Sequence, residues 1–242
     1  MKVNRNSVIG LSYSIAYLFI VINTLIFIPA YAYAHGGISL GATRVIYPAD
    51  AKSESITVSN SSVNARYLIQ AWVDDATGKK TTDFIVTPPL FNSMPGTENR
   101  LKIIGTRSVS QTDREQVYYL NIKNIPVINK KDIEGKNMMV VTVSTRIKLF
   151  VRPKGLMPSL SDAAGRLAFN YDTGKLKAVN PTPYYLTMTD VRADGKALDG
   201  LMVPPYSSVV LADFRADSVS WKVINDYGGT TSEHNATVTR VP

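Results

Sequence analysis

Residues 138–156, MMVVTVSTRIKLFVRPKGL, constrain the fold more than any other stretch of the chain. Met139, Val141 and Val143 alternate on one face, β-branched residues dominate and neither Pro nor Gly interrupts the first half, which is the pattern of a β-strand. The second half sets Arg146, Lys148 and Arg152 among Ile147, Leu149, Phe150 and Val151. A cation inside an apolar run requires a partner, because desolvating an unpaired ammonium is very costly. Two readings are open. The stretch is a strand of an ordinary sandwich core with solvated charges, or an edge strand that offers alternate apolar side chains to another polypeptide while a cation fixes the register.

The rest of the chain has the same texture. Residues 38–48 read as one strand, with Ile38, Leu40 and Ala42 on one face and, by the same parity, Arg44. An arginine on an inward face is unusual. Short β-type runs follow at 53–62, 66–80, 84–91, 99–104 and 117–125, bounded by Asn, Ser, Asp, Gly or Pro. Thr87-Pro88-Pro89 cannot lie inside a hydrogen-bonded ladder, so it marks a bend or a switch of strand. The short polar connection after Pro126 predicts that 117–125 and 138–151 pair as an antiparallel hairpin. Seven strands by Lys154 make one immunoglobulin-like sandwich of roughly the usual size. The remainder is a second β domain, with strands at 167–171, 175–179, 184–191, 207–211, 219–225 and 235–241. The fold class is therefore all-β, in two immunoglobulin-like sandwiches, with no helix of convincing length.

The first residues indicate export. Lys2 and Arg5 precede an uncharged apolar stretch from about Val8 to Ile28, and Pro29 ends it before AYAYAHGG. Ala32-Tyr33-Ala34 has the small-x-small form of a signal-peptidase site, so residues 1–34 are expected to be a cleaved leader, with no membrane insertion after cleavage. An uncleaved anchor would need a basic stop-transfer cluster, which this stretch lacks. There is no cysteine, so cores must hold without disulfides and no thiolate chemistry is available. The charge of +8 comes from basic residues spread thinly, without the aromatic-interleaved stripe of a nucleic-acid binder, so nucleic acid is not expected as a partner.

Catalytic chemistry is thin. His35 and His234 are the only histidines, and neither has an acid or nucleophile at useful spacing. Asp74 and Asp75 are adjacent, point to opposite faces of a strand, and read as solvated turn charges. No phosphate loop or dinucleotide fingerprint occurs. An enzyme is not expected, nor any metal or cofactor; the work must come from binding energy.

Several long stretches carry a resemblance: GATRVIYPA (41–49), YLIQAWV (67–73), FIVTPPLF (84–91), DREQVYYLNIKNIP (113–126), TRIKLFVRP (145–153), NPTPYYLT (180–187) and INDYGG (224–229). Across its whole mature length the chain resembles the periplasmic pilus-assembly chaperones of the PapD and FimC type, those serving type 1 fimbriae most. The departures are mild: Gln116 stands where the family usually has a small hydroxyl residue, and Val127 follows Pro126 where a small residue is common. The resemblance implies two immunoglobulin-like domains in a boomerang, residues 35–154 and 155–242, that bind, fold and cap fimbrial subunits and deliver them to an outer-membrane usher without ATP. It implies pilin subunits, an adhesin and the usher as partners and the periplasm as compartment. Arg44 and Lys148 match the pair that grips a subunit's C-terminal carboxylate. Met139, Val141 and Val143 match the donated strand, and Glu115, Arg152 and Asp226 match charges that bridge the domains. Strict alternation sets Met139, Val141 and Val143 on the face opposite Lys148, so a twist or bulge is expected between them. The alternative function is a fimbrial structural subunit or a carbohydrate-binding adhesin domain; two domains, no cysteine and a central rather than N-terminal alternating strand count against it.

Overall fold

The computed structural model describes residues 36–107, 112–128 and 139–240. The leader, His35 and Met138 lie outside these residues, as does most of the polar connection before Met139. Gly36–Pro242 forms one compact unit made of two β-sandwiches. The first packs a four-stranded sheet on a five-stranded one. The four-stranded sheet runs β1 (Ile38–Leu40), β3 (Ser53–Asn60), β7 (Glu98–Gly105), β5 (Phe84–Thr87); the five-stranded sheet runs β2 (Arg44–Pro48), β9 (Val143–Arg152), β8 (Gln116–Pro126), β4 (Tyr67–Asp74), β6 (Leu90–Ser93).

Two of the expected strands are each divided between the sheets. Residues 84–91 break at the cis Thr87-Pro88 bond, so β5 pairs with β7 while β6 pairs with β4. This is the switch that the paired prolines predict. Residues 38–48 break at Gly41: β1 is antiparallel to β3, whereas β2 is parallel to β9 in the other sheet. The parity that put Arg44 on the face of Ile38 and Leu40 is thereby overturned. Val45 and Tyr47 of β2 face the core, and Arg44 lies on the outer face of the five-stranded sheet.

The predicted hairpin is present as β8 against β9, in unbroken register from Gln116↔Val151 to Asn124↔Val143. Of the twist or bulge expected between Val143 and Lys148, the bulge does not occur. Ile147, Leu149 and Val151 fill the core with Ile69, Leu101, Leu120 and Ile122, while Lys148, Phe150 and Arg152 take the outer face. Successive side chains of a strand point to opposite faces, so these two sets of β9 residues meet different partners. Asp74 also departs from expectation. It is 8% exposed and accepts hydrogen bonds from Trp72 Nε1 and Asn121 Nδ2, both at 2.9 Å. Asp75 instead caps the following turn through Thr77 and Lys79.

After a one-turn helix α1 (Leu160–Ala164) capped by Ser159, the second sandwich uses β10 (Ala168–Asp172), β11 (Lys175–Asn180), β12 (Leu186–Ala193), β13 (Lys196–Leu198), β14 (Met202–Val203), β15 (Ser207–Ala212), β16 (Ser218–Val223) and β17 (His234–Arg240). β17 joins its two halves, running antiparallel to β16 with its first residues and parallel to β10 with its last. Trp221 anchors the core. It is 1% exposed, packs on Phe169 and donates its indole N–H to Ala164 O at 3.1 Å. His234 lies against the same indole, which gives this histidine a packing role. β13 and β14 are too short to show as periodicity in the sequence.

Candidate functional site

Parallel pairing of β2 with β9 sets Arg44 directly beside Lys148. Both cations point out of the five-stranded sheet toward the second sandwich. Arg44 Nη1 donates to the carbonyl of Ile224 at 3.1 Å, and Lys148 Nζ donates to Thr187 Oγ1 at 3.2 Å. Neither is ion-paired with a carboxylate among the described residues, and the buried Nε of Arg44 has no acceptor there. Burial pushes the pKa of Arg44 down, an effect that the charges of Asp226 and Glu115 partly oppose. Burial also pushes Lys148 down, and the charge of Arg44 adds to the shift. Two like charges held side by side and half-buried raise the energy of the free protein, and an anion placed between them relieves both terms.

A second cluster lies further along β9. Arg152 donates Nε to Glu115 Oε1 at 2.6 Å and a bidentate pair to Asp226 at 2.6 and 2.7 Å. Glu115 precedes β8 in the first sandwich, while Asp226 sits in the turn between β16 and β17 in the second. Glu115 is almost wholly buried and accepts a further bond from Tyr185 N at 2.9 Å, and its own N–H donates to Pro183 O at the same distance. Desolvation raises the Glu115 pKa even though Arg152 draws it down, while the Arg152 pKa is raised by its bonds to the two carboxylates. The Arg152 guanidinium lies over the Tyr184 ring, 5.4 Å from its centroid.

The turn that carries Asp226 also touches the first cluster. Asn225 Oδ1 accepts from Tyr227 N and Gly229 N, both at 3.0 Å, which fixes the turn. Gly228 adopts φ +86, and a β-carbon there would collide with Thr43 Oγ1, so only glycine lets this backbone pack against the residue before Arg44. Arg44, Lys148, Glu115, Arg152 and Asp226 are thus brought together along one seam between the sandwiches.

Met139, Val141 and Val143 lie elsewhere. They are 86%, 59% and 55% exposed, and Val140 is exposed as well. Met139 and Val141 precede the first paired residue of β9, so the paired strand is shorter than the apolar pattern predicted. β2 covers only residues 148–152 of β9, which leaves residues 143–147 without a strand on that side among the described residues. Exposed apolar side chains thus run directly into an open strand edge, and that strand carries Lys148 five residues further on.

Three participants were missed in the sequence. Phe150 is 2% exposed, yet it lies on the outer face against Tyr185, with ring centroids 5.8 Å apart; three apolar residues in a row, Leu149 to Val151, were the signal that both faces of β9 are covered. Thr187 and the carbonyl of Ile224 carried no signal, because their part depends on pairing between distant segments.

Comparison with known proteins assigns a family to both sandwiches. The family described as "Pili and flagellar-assembly chaperone, PapD N-terminal domain" matches residues 37–157, and "Pili assembly chaperone PapD, C-terminal domain" matches residues 162–235. The chain is 41% identical over 204 residues to the chaperone protein FocC of Escherichia coli, covering 83% of this chain and 89% of the relative. It is 41% identical over 201 residues to FimC of Escherichia coli K12, covering 82% and 83%. Among solved structures, the periplasmic chaperone SfaE superposes with a TM-score of 0.72 at 38% identity, covering 84% of this chain and 100% of that one. The Salmonella enterica SafA pilin in complex with the SafB chaperone gives 0.76 at 31%, covering 85% and 98%. With both domains matched and relatives aligned over most of their length, the chain belongs to the pilus-assembly chaperones of the PapD family.

Proposed function

We propose that this chain captures pilin subunits and the adhesin in the periplasm by lending them a strand, and passes them to an outer-membrane usher. The observation that carries the reading is the continuity of β9: an exposed apolar edge at one end and a cation pair without a carboxylate at the other. Residues 1–34 are the cleaved leader, 35–154 the subunit-binding sandwich and 155–242 the second sandwich. Met139, Val141 and Val143 fill the groove of an incomplete subunit, and Arg44 with Lys148 binds its C-terminal carboxylate. Glu115, Arg152 and Asp226 hold the two sandwiches in fixed relation. The work is binding alone, with no catalysis and no cofactor. The SafB relative, solved with SafA pilin, supports the same class of partner.

Magnitudes explain why edge and cations act together. Three medium apolar side chains contribute roughly 5–9 kcal/mol if fully buried, and association costs on the order of 4–15 kcal/mol. Side-chain insertion alone is therefore marginal. Ladder hydrogen bonds along residues 143–147 and charge-assisted bonds to the carboxylate, each about 1.5–3 kcal/mol, supply the difference. The test is co-expression with the major pilin of its own fimbrial system, followed by gel filtration of the periplasm. A chaperone keeps the pilin soluble as a one-to-one complex; a chain that polymerises on its own, or leaves the pilin aggregated, contradicts the proposal.

A further inference from the structure

We infer that Thr187 is a positioning residue for the anchor, holding the Lys148 ammonium so that its remaining N–H groups face a bound terminal carboxylate. The inference rests on the reading of Arg44 and Lys148 given above and extends the anchor into the second sandwich. Thr187 is 9% exposed and lies near the start of β12. Its backbone is fixed twice: it pairs with Met202 of β14, and its carbonyl accepts from Ile224 N at 2.9 Å. Ile224 in turn gives its own carbonyl to Arg44 Nη1. Two residues of the second sandwich, tied to each other by a hydrogen bond, therefore offer one acceptor to each cation of the first.

The chemistry suits the task. An ammonium has three donors on a flexible four-carbon stem, and nothing in the stem itself selects a rotamer. One bond to a rigid hydroxyl selects it and leaves two donors for a carboxylate. Ordering the side chain before the ligand arrives removes that cost from binding. The surroundings supply no competing anchor: Arg44 lies alongside on β2, Tyr119 opposite on β8, and Arg146 on the same face of β9, while no carboxylate of the described residues is within ion-pair reach of Lys148.

The experiment uses the full mature chain and a synthetic peptide with valine at alternate positions, in free-acid and C-terminally amidated forms. Wild type prefers the free acid. Thr187→Val, close in shape but without the hydroxyl, loses about two- to tenfold of that preference, the factor expected from the cost of ordering one flexible side chain on binding. Thr187→Ser restores it. Side-chain nitrogen NMR of Lys148 supplies a readout that a purely structural role would not move. Loss of an acceptor that stabilises the ammonium lowers the Lys148 titration midpoint in Thr187→Val, and Thr187→Ser returns it. A wild type that binds both peptides alike overturns the anchor reading, and the inference with it. A wild type that discriminates, beside a Thr187→Val that discriminates equally and titrates at the same midpoint, overturns the inference alone.

Discussion

Replacing Arg152 by alanine tests how the two sandwiches are coupled. Arg152 spends its guanidinium on Glu115 at 2.6 Å and on Asp226 at 2.6 and 2.7 Å, with side-chain exposures of 21%, 1% and 29% in that order. Alanine leaves Glu115 buried with only the Tyr185 N–H as donor. Removing one partner of a buried pair costs about 3–5 kcal/mol, because the remaining charge is uncompensated. For a protein of this size that is a drop in Tm of roughly 6–20 °C. The chain has one tryptophan in each sandwich, Trp72 on β4 and Trp221 on β16. Single-tryptophan versions made with Trp72→Phe or Trp221→Phe therefore report each sandwich separately in urea. With Arg152 present the two transitions coincide; with Arg152→Ala they separate. The pH dependence follows from the raised pKa of Glu115: its favourable contribution is present below the ordinary carboxylate range and is lost as pH rises through the folded value. Without Arg152 that value climbs further, so the deficit is largest at neutral pH and shrinks on acidification. A deficit under about 1 kcal/mol with coincident transitions would refute the argument.

Lys148→Met is expected to stabilise the free protein, by up to about 1 kcal/mol, because it removes a desolvated charge beside Arg44; thermal unfolding of the uncomplexed chain reads this. Val141→Ala and Val143→Ala leave stability within about 0.5 kcal/mol, since both side chains are exposed, but each weakens pilin capture by on the order of 1 kcal/mol in a titration with denatured subunit. Leu149→Ala, on the core face of the same strand, does the reverse in kind: it destabilises the chain itself by about 2–5 kcal/mol in urea unfolding.

Much of this was legible in the sequence because it is local. The β8–β9 hairpin follows from two apolar runs and a short polar connection, and the change of sheet at Thr87-Pro88 follows from the missing N–H groups of proline. Arg44 shows where local reading stops. Its odd position among apolar residues was visible, but its face was not, because alternation holds only within one strand and the chain changes sheets between Leu40 and Arg44. Asp74 looked like a surface charge because Asn121 meets it only once β4 pairs with β8, although Trp72, two residues away on the same strand, shares its face. The seam between the sandwiches was recoverable only through resemblance for its charges. Its apolar part, Phe150 on Tyr185, needed the knowledge that both faces of β9 are covered.

The central claim is that one strand couples an exposed apolar edge to a carboxylate anchor. The most direct measurement is co-purification of the cognate major pilin from periplasm with wild type and with Lys148→Ala, side by side. The account predicts soluble pilin at one-to-one stoichiometry with wild type and loss of capture with Lys148→Ala, although the variant remains folded. A Lys148→Ala protein that brings down as much pilin as wild type would contradict it.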